Sequence, residues 1–290
     1  MSDDVSTSPG HPGPPSHAVS STQDLAELAA RLNSQLDAFD PAVLDLARTA
    51  RRVAVLSGAG VSAESGVPTF RTPETGLWSR YSPQELATPE AWEDDPAVVW
   101  SWYVQRARMV RGVQPNAGHR ALARWAQDVE LTISTQNVDD LHERAGSRVL
   151  SHLHGSLFEF RCESCERPAD RWQIGELRLD APVDTDPQPL EPPECLECDA
   201  RIRPGVVWFG EALPWDAFEA AEQSMTEADL VLVIGTSGIV QPAASLPLAA
   251  LGLGVPVVEI NPEATEFSAY ADYTVRLPSG TALPLMMAKL

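Results

Sequence analysis

The chain holds four cysteines in two pairs, Cys162-x-x-Cys165 and Cys195-x-x-Cys198, with 29 residues between the pairs. A Cys-x-x-Cys pair can grip one ion from a tight knuckle, and four thiolates suit tetrahedral zinc. Such a site is closed. It leaves no position for a water, so the ion would hold a small module together rather than take part in a reaction. Four unrelated buried thiols, or a redox pair, are the other readings. Two pairs framing one polar loop, with no cysteine elsewhere, speak against both.

A second group of residues suits a dinucleotide. Gly58-Ala59-Gly60-Val61-Ser62-Ala63 fits G-x-G-x-x-[GA] directly after the apolar run Val53 to Leu56. In that pattern the first glycine permits a tight turn and the second lets backbone approach a pyrophosphate. The small third position lets helix pack on strand, with the helix N-terminus toward the anion. Taken alone, the loop reads equally well as a glycine turn without a ligand. A plain dehydrogenase would add an acidic residue at the end of the next strand, about twenty residues on. Here Ser65 to Arg71 leads into a Trp-, Pro- and Glu-rich stretch with no strand pattern, which counts against that class.

Of six histidines, His11 and His17 fall in the N-terminal tail, while His119 and His142 lie in helical stretches and read as partly exposed. His152 and His154 stand just ahead of the first cysteine pair, where alternation turns both rings the same way. An imidazole titrating near neutrality at a domain junction is a candidate general base; a structural histidine is the plainer alternative.

The elements that must position these groups follow from the apolar runs. Val53 to Leu56, Leu131 to Ser134, Leu230 to Ile234 and Val255 to Ile260 read as buried parallel strands. Each ends in small or amide residues: Ser57-Gly58, Thr135-Gln136-Asn137, Gly235-Thr236-Ser237 and Asn261-Pro262. Ligands bind at the carboxyl ends of strands in an open α/β sheet, so these four loops should converge on one site. Helices are expected over 23–36, from Pro41 to Thr49 with proline in the first turn, and over 96–111 and 118–127. Residues 1 to about 22, rich in Pro, Ser and Gly, read as a disordered tail, and the acidic, proline-rich span 180–193 as a mobile loop.

Composition sets outer bounds. With 290 residues and 43% apolar content the chain suits one large domain with a smaller module. No run of eighteen apolar residues is present, and the start Met1-Ser2-Asp3-Asp4 lacks the basic and apolar parts of a secretory signal, so a cytoplasmic protein is expected. In that compartment paired cysteines favour metal over disulfides. A net charge of −20 disfavours nucleic acid as a direct ligand and eases the approach of a lysine-rich segment, or simply keeps the chain soluble.

Six segments in order then resemble the sirtuin family: 58–71, 135–146, 152–162 with the paired cysteines, 203–214, 235–247 and 259–265. The resemblance covers nearly everything from about 50 onward. It implies an α/β fold, a Rossmann-like parallel sheet with helices on both faces, carrying an inserted small zinc-binding module and a helical insertion. The Rossmann-like part would comprise about 40–71, 115–154 and 205–290, the helical insertion about 72–114 and the zinc module about 155–204, within a catalytic domain of 23–290. It also implies an enzyme that consumes NAD to remove acyl groups from protein lysines, releasing nicotinamide and O-acyl-ADP-ribose, with one structural zinc ion on the four cysteines.

Residue by residue, His154 matches the catalytic histidine that deprotonates ribose hydroxyls. Asn137 and Asp139 match the pair that holds the nicotinamide carboxamide, and Gln136 a contact to its ribose. Gly58, Ala59, Gly60, Phe70 and Arg71 match the loop around pyrophosphate and ribose, with Glu64 and Trp78 placed among the cofactor contacts. Gly235, Thr236 and Ser237 match phosphate and ribose contacts, Asn261, Pro262 and Glu263 the adenosine side, and Ser279 a late backbone contact to adenine. Val206, Val207, Trp208 and Phe209 match the segment that pairs with substrate backbone and lines the acyl-lysine tunnel.

Two features bear on the acyl group. Thr69 stands where many members have Asp before Phe-Arg, and Tyr103-x-x-Arg106 matches the motif that desuccinylase-like members use for acidic acyl groups. The spacing puts both side chains on one helix face, where an arginine can grip a carboxylate bidentately. An ordinary helix with an exposed arginine is the alternative, since Arg108 and Arg111 are close by. One departure is Gly238, where a bulkier residue is expected. Two rival functions remain: a zinc-containing NAD-sensing module, and an ADP-ribosyltransferase using the same pocket. Nicotinamide release that occurs only with acyl peptide would exclude the first, and labelled ADP-ribose left on protein with no acyl-ADP-ribose formed would betray the second.

Overall fold

The computed structural model describes residues 34–35, 37–68, 82–175, 177–184 and 188–290. The expected tail, nearly all of the expected helix 23–36, and Thr69, Phe70, Arg71 and Trp78 lie outside the described residues. The chain divides into the units Met1–Asp37 and Ala38–Leu290, and the second carries the features that follow.

Helix α1 (Pro41–Thr49) starts where the sequence dictates: Asp40 accepts the Ala42 amide at 2.8 Å, and Pro41 occupies the first turn, where a missing N–H does no harm. Strand β1 (Arg52–Ser57) and the one-turn helix α2 (Gly60–Ala63) follow. Next come α3 (Pro83–Leu86), α4 (Pro89–Asp94), α5 (Pro96–Gly112) and α6 (Ala117–Trp125). Beyond them lie β2 (Glu130–Thr135), α7 (Leu141–Arg144), β3 (Val149–His152), β4 (Gly155–Cys162), α8 (Arg171–Gly175) and β5 (Ile202–Val206). The chain closes with α9 (Trp215–Thr226), β6 (Leu230–Ile234), α10 (Leu246–Gly252), β7 (Val257–Ile260), β8 (Tyr273–Val275) and α11 (Ser279–Met287).

Six of these strands form one parallel sheet in the order β3-β2-β1-β6-β7-β8. β1 pairs with β2 on one side and β6 on the other, so the winding reverses between β1 and β6, where such sheets open a ligand crevice. Alternate residues serve opposite faces. Val53 and Val55 join Val43, Leu122 and Leu283 from α1, α6 and α11; Ala54 and Leu56 join Ala221, Met225 and Ala250 from α9 and α10. β7 begins two residues later than expected because the Val255 amide closes onto Ala250 and Pro256 has no amide to give.

The remaining elements share a third core. Trp92, Trp100, Trp102 and Tyr103 from the helical segment pack with Phe160, Cys162, Cys195, Ile202 and Trp208 around the two-stranded antiparallel sheet β4–β5. Helical insertion and cysteine module, separate in sequence, are thus packed on one another. The span expected as a mobile loop is tied to this body: the Asp184 amide bonds Gln105 Oε1 at 2.9 Å and the Leu190 amide bonds Ser101 Oγ at 2.6 Å. Ser101 and Gln105 stand one turn apart on α5, which gives the loop two matched anchors.

Candidate active site

The four strand-end loops do converge. The Gly58 amide bonds the Ile234 carbonyl at 2.9 Å, Gly60 bonds Gly235 at 2.7 Å, and Gln136 bonds Ser57 at 2.9 Å. Gln136 Nε2 meets Thr236 Oγ1 at 3.2 Å, and Asn261 Nδ2 meets the Thr236 carbonyl at 3.0 Å. The glycines serve this interlock as much as any turn. A Cβ on Gly60 would lie 2.7 Å from the Gly235 oxygen, and one on Gly235, at φ +62°, 2.5 Å from the Val61 nitrogen. Gly238 is explained likewise: at φ +72°, an added Cβ would stand 2.7 Å from the Phe267 nitrogen. Glu263 donates its amide to Asn261 Oδ1, with Pro262 between them. Ser237 closes the β6 loop by accepting the Ile239 amide. At the far edge Glu64, just after α2, accepts the Gly280 amide at 2.6 Å and the Ser279 hydroxyl at 3.4 Å, capping α11. Ala59 stands at the head of α2 between the two glycines.

His154 follows β3 and hangs over this junction. Its Nδ1 lies 3.0 Å from the Gln136 carbonyl. A carbonyl only accepts, so the ring carries its proton on Nδ1 and leaves the Nε2 lone pair free. Burial holds its pKa below the ordinary 6.5, against a smaller upward pull from that carbonyl. The ring is therefore a neutral base at pH 7. His152, two residues earlier, is driven the other way: burial opposes its charge, but the Glu143 carboxylate at 2.6 Å outweighs burial and raises the pKa. The two environments thus push the pKa values of these neighbouring rings in opposite directions. β3 ends at His152, and the two rings bond different partners rather than sharing one direction.

Asn137 and Asp139 lie in the loop after β2, both about 6% exposed. They meet at Ser62 of α2, whose hydroxyl donates to Asp139 Oδ2 at 2.8 Å and accepts Asn137 Nδ2 at 3.2 Å. Burial raises the Asp139 pKa, and the Leu141 amide and Ser62 hydroxyl oppose the rise. Asn137, Asp139 and Ser62 thus form one buried hydrogen-bonded cluster beside the glycine loop. Ser62 was not singled out in the sequence, because it falls in a free position of the glycine pattern; its one signal was a hydroxyl where that position is unconstrained.

On the other side of His154 lies the β5 end. Gly155 pairs with Val206, and the Val207 amide bonds the His154 carbonyl at 2.9 Å. Val206 and Trp208 are buried, Phe209 is largely exposed, and its amide bonds Ala87 at 2.9 Å. Trp208 Nε1 donates to Tyr103 Oη at 3.1 Å, which leaves the tyrosine its own proton to give. Burial raises the Tyr103 pKa, against the nearby Arg106 charge. Arg106 is only 8% exposed and sits 4.9 Å from the Trp102 ring centre. Its neighbours differ: Arg108 bonds the Leu177 carbonyl and Arg111 pairs with Asp140. The exposed-arginine alternative is thereby removed for position 106.

The four cysteine sulfurs lie within 4.8 Å of one another, with Cys162–Cys198 at 3.5 Å and Cys165–Cys195 at 3.7 Å. A tetrahedron with bonds of about 2.3 Å has edges of about 3.8 Å. Each knuckle ends on a residue in left-handed conformation, Glu166 (φ 58°) and Asp199 (φ 59°). The amides of Ser164 and Cys165 both point at Cys162 Sγ at 3.4 Å, the arrangement that favours a thiolate. The donor set fits one zinc ion and leaves no open coordination position.

His119 and His142 correct the expectation of partial exposure. Both are helical, in α6 and α7, but they are 0% and 2% exposed, with ring centres 4.9 Å apart edge to face. Burial depresses their pKa values to about 4 and about 3, the first with help from Arg120 and the second from His119 and His152.

Known proteins resemble this chain in sequence and fold. The Sir2 family profile matches residues 58–242. A Corynebacterium glutamicum protein named NAD-dependent protein deacylase is 48% identical over 88% of this chain and 98% of its own length. One of the same name from Mycolicibacterium paratuberculosis is 51% identical over 82% and 98%. A solved Sir2 homologue–NAD complex superimposes with a TM-score of 0.76 at 43% identity, covering 86% of this chain and 93% of that one. A Sir2–p53 peptide–NAD+ structure does so at 0.73 and 30%, covering 86% and 97%. Among the described residues no helix is long and apolar enough to cross a membrane. With the parallel sheet, the interlocked strand ends and the tetrathiolate module all in place, the chain belongs to the Sir2 family.

Proposed function

We propose that this chain is a cytoplasmic NAD-dependent protein-lysine deacylase that removes acidic acyl groups, succinyl or malonyl, and accepts acetyl as well. The observation that carries the reading is the position of His154: a neutral imidazole, its Nδ1 proton fixed on Gln136, its own carbonyl bonded to the Val207 amide. One residue therefore joins the dinucleotide loops to the acyl-lysine segment. Relatives of the chain are named NAD-dependent protein deacylases, and a structural neighbour is a complex with p53 peptide and NAD+.

NAD, when bound, supplies a ribose carbon open to attack by the acyl oxygen, with nicotinamide as leaving group. Asn137 and Asp139, braced by Ser62, hold the carboxamide. Gln136, Gly58, Ala59, Gly60, Gly235, Thr236 and Ser237 contact ribose and phosphates, while Asn261, Pro262, Glu263, Glu64 and Ser279 border the adenosine side. Phe70, Arg71 and Trp78 complete the cofactor contacts. His154 Nε2 takes a ribose hydroxyl proton. Val206 to Phe209 line the acyl-lysine path, and zinc on the four cysteines holds that half in shape. Tyr103, through its free O–H, and Arg106, through its buried guanidinium, bind the distal carboxylate of a succinyl or malonyl group.

Matched succinylated and acetylated peptides, turned over by wild type and Arg106→Ala, test the acyl assignment. Loss confined to the succinyl peptide supports it; equal loss on both removes it. Stable ADP-ribosylation of protein without O-acyl-ADP-ribose would replace the deacylase reading with a transferase.

A further inference from the structure

Two buried histidines have no part in the chemistry above, yet hydrogen-bonded chains link both to the residues proposed to perform it. His142 Nε2 lies 2.9 Å from Ser57 Oγ, and Ser57 donates to Thr135 Oγ1 at 2.8 Å. Thr135 Oγ1 in turn accepts the amide of Asn137 at 3.0 Å. The chain from one ring thus ends on the backbone of the proposed nicotinamide ligand.

The other ring leads to the glycine loop. His119 Nδ1 accepts the Asn116 amide at 3.3 Å. Asn116 Nδ2 donates to the Val61 carbonyl at 2.7 Å and to Ser65 Oγ at 3.1 Å. Val61 precedes Ser62, the hydroxyl on which Asn137 and Asp139 meet. The circuit closes through α7, which starts at Leu141, whose amide bonds Asp139 Oδ1 at 3.1 Å, and carries His142 one residue on.

The tautomers follow from the partners. Since Ser57 spends its proton on Thr135, it accepts from His142, which therefore carries its hydrogen on Nε2. Since His119 Nδ1 accepts an amide, that ring carries its hydrogen on Nε2. Among the described residues, His119 Nε2, a donor, and His142 Nδ1, an acceptor, have no partner. The rings pack edge to face with centres 4.9 Å apart, and burial keeps both neutral.

We propose that His119 and His142 are positioning residues for NAD: together they lock the loop bearing Asn137 and Asp139 against α2, so that the carboxamide-binding edge is formed before the ligand arrives. The proposal rests on the reading that this edge binds nicotinamide.

The test uses the full-length, zinc-loaded protein and measures KM separately for NAD and for an acyl peptide. His142→Phe keeps an aromatic ring in place and removes the bond to Ser57; His142→Gln offers an amide nitrogen at a similar reach. Loss of one buried hydrogen bond corresponds to about a tenfold rise in KM for NAD in His142→Phe. The peptide KM should stay at the wild-type value, and His142→Gln should recover most of the loss. An unchanged NAD KM in His142→Phe, a glutamine variant as poor as phenylalanine, or both KM values rising together would overturn it. Should His142→Phe fail to fold, Thr135→Val severs the same chain at its other end and is read by the same split. Asn137→Ala separates the two levels. If that variant is crippled while His142→Phe and Thr135→Val behave as wild type, only the positioning role falls; if it is unaffected, the nicotinamide reading falls and takes the positioning role with it.

Discussion

The two sides of His154 are built by different means. The dinucleotide side is made of main chain: glycines at 58, 60 and 235 locked against one another, amides spent on neighbouring carbonyls, and a few buried polar side chains between the loops. The proposed acyl side is made of side chains, Tyr103 and Arg106 on α5 and Trp208 just past β5, with Tyr103 and Trp208 set in an aromatic core shared with the cysteines. Main chain leaves little room for variation, because any added atom meets backbone. A helix face can change one residue at a time. Damage on the first side should fall on every substrate alike, whereas damage on the second should sort substrates by their acyl group.

The largest effect tests the residue common to both. His154→Ala should lower turnover about 10²- to 10⁴-fold on succinyl and acetyl peptides equally, the range for loss of a general base; a drop confined to one peptide would break the comparison. On the acyl side, Arg106→Ala should lower kcat/KM for a succinyl peptide about 10- to 100-fold, the loss of a charge-assisted hydrogen bond. The acetyl peptide should be little changed. Gly60→Ala, on the dinucleotide side, forces a methyl to within 2.7 Å of the Gly235 oxygen. Overpacking of this kind costs about 1–3 kcal/mol, so a lower melting temperature and a raised NAD KM are expected with both peptides.

The pH effects are smaller. Because burial lowers the His154 pKa and catalysis needs the neutral ring, the acid limb of kcat/KM should fall below pH 6.5. For His119 and His142 the folded values, about 4 and about 3, lie below the ordinary 6.5 of an unfolded chain. The unfolded state then binds more protons as pH drops. Stability present above pH 6.5 is lost progressively below it, fully by about 4 and about 3 respectively. Melting temperatures from pH 7 to 4 should therefore decline less steeply in His142→Phe than in wild type.

How much of this was legible follows the same division. Of the four inner strands, β1 and β6 carry continuous apolar runs while β2 and β7 are broken by Thr132, Ser134 and Glu259, and the small or amide ends of all four do come together. The edge strands β3 and β8, of four and three residues, are too short to carry a pattern. The cysteine spacing gave a cluster whose sulfurs do come together. His119 and His142 misled because each has charged neighbours, Arg120 and Glu143, and α7 is a single turn, too short for periodicity to reveal a buried side. The common core of the helical and cysteine segments was not legible, because a contact such as that between Trp100 and Phe160 leaves no local trace in sequence.

That common core has a consequence for metal supply. Cys162 and Cys195 are 1% and 4% exposed, packed among the same residues as Tyr103 and Trp208, while the six-stranded sheet has its own interior on either face. Stripping the ion would loosen the acyl half first and leave the nucleotide half standing. A chelator titrated against the protein should thus blunt discrimination between succinyl and acetyl peptides before it abolishes NAD binding, making metal content a dial on selectivity.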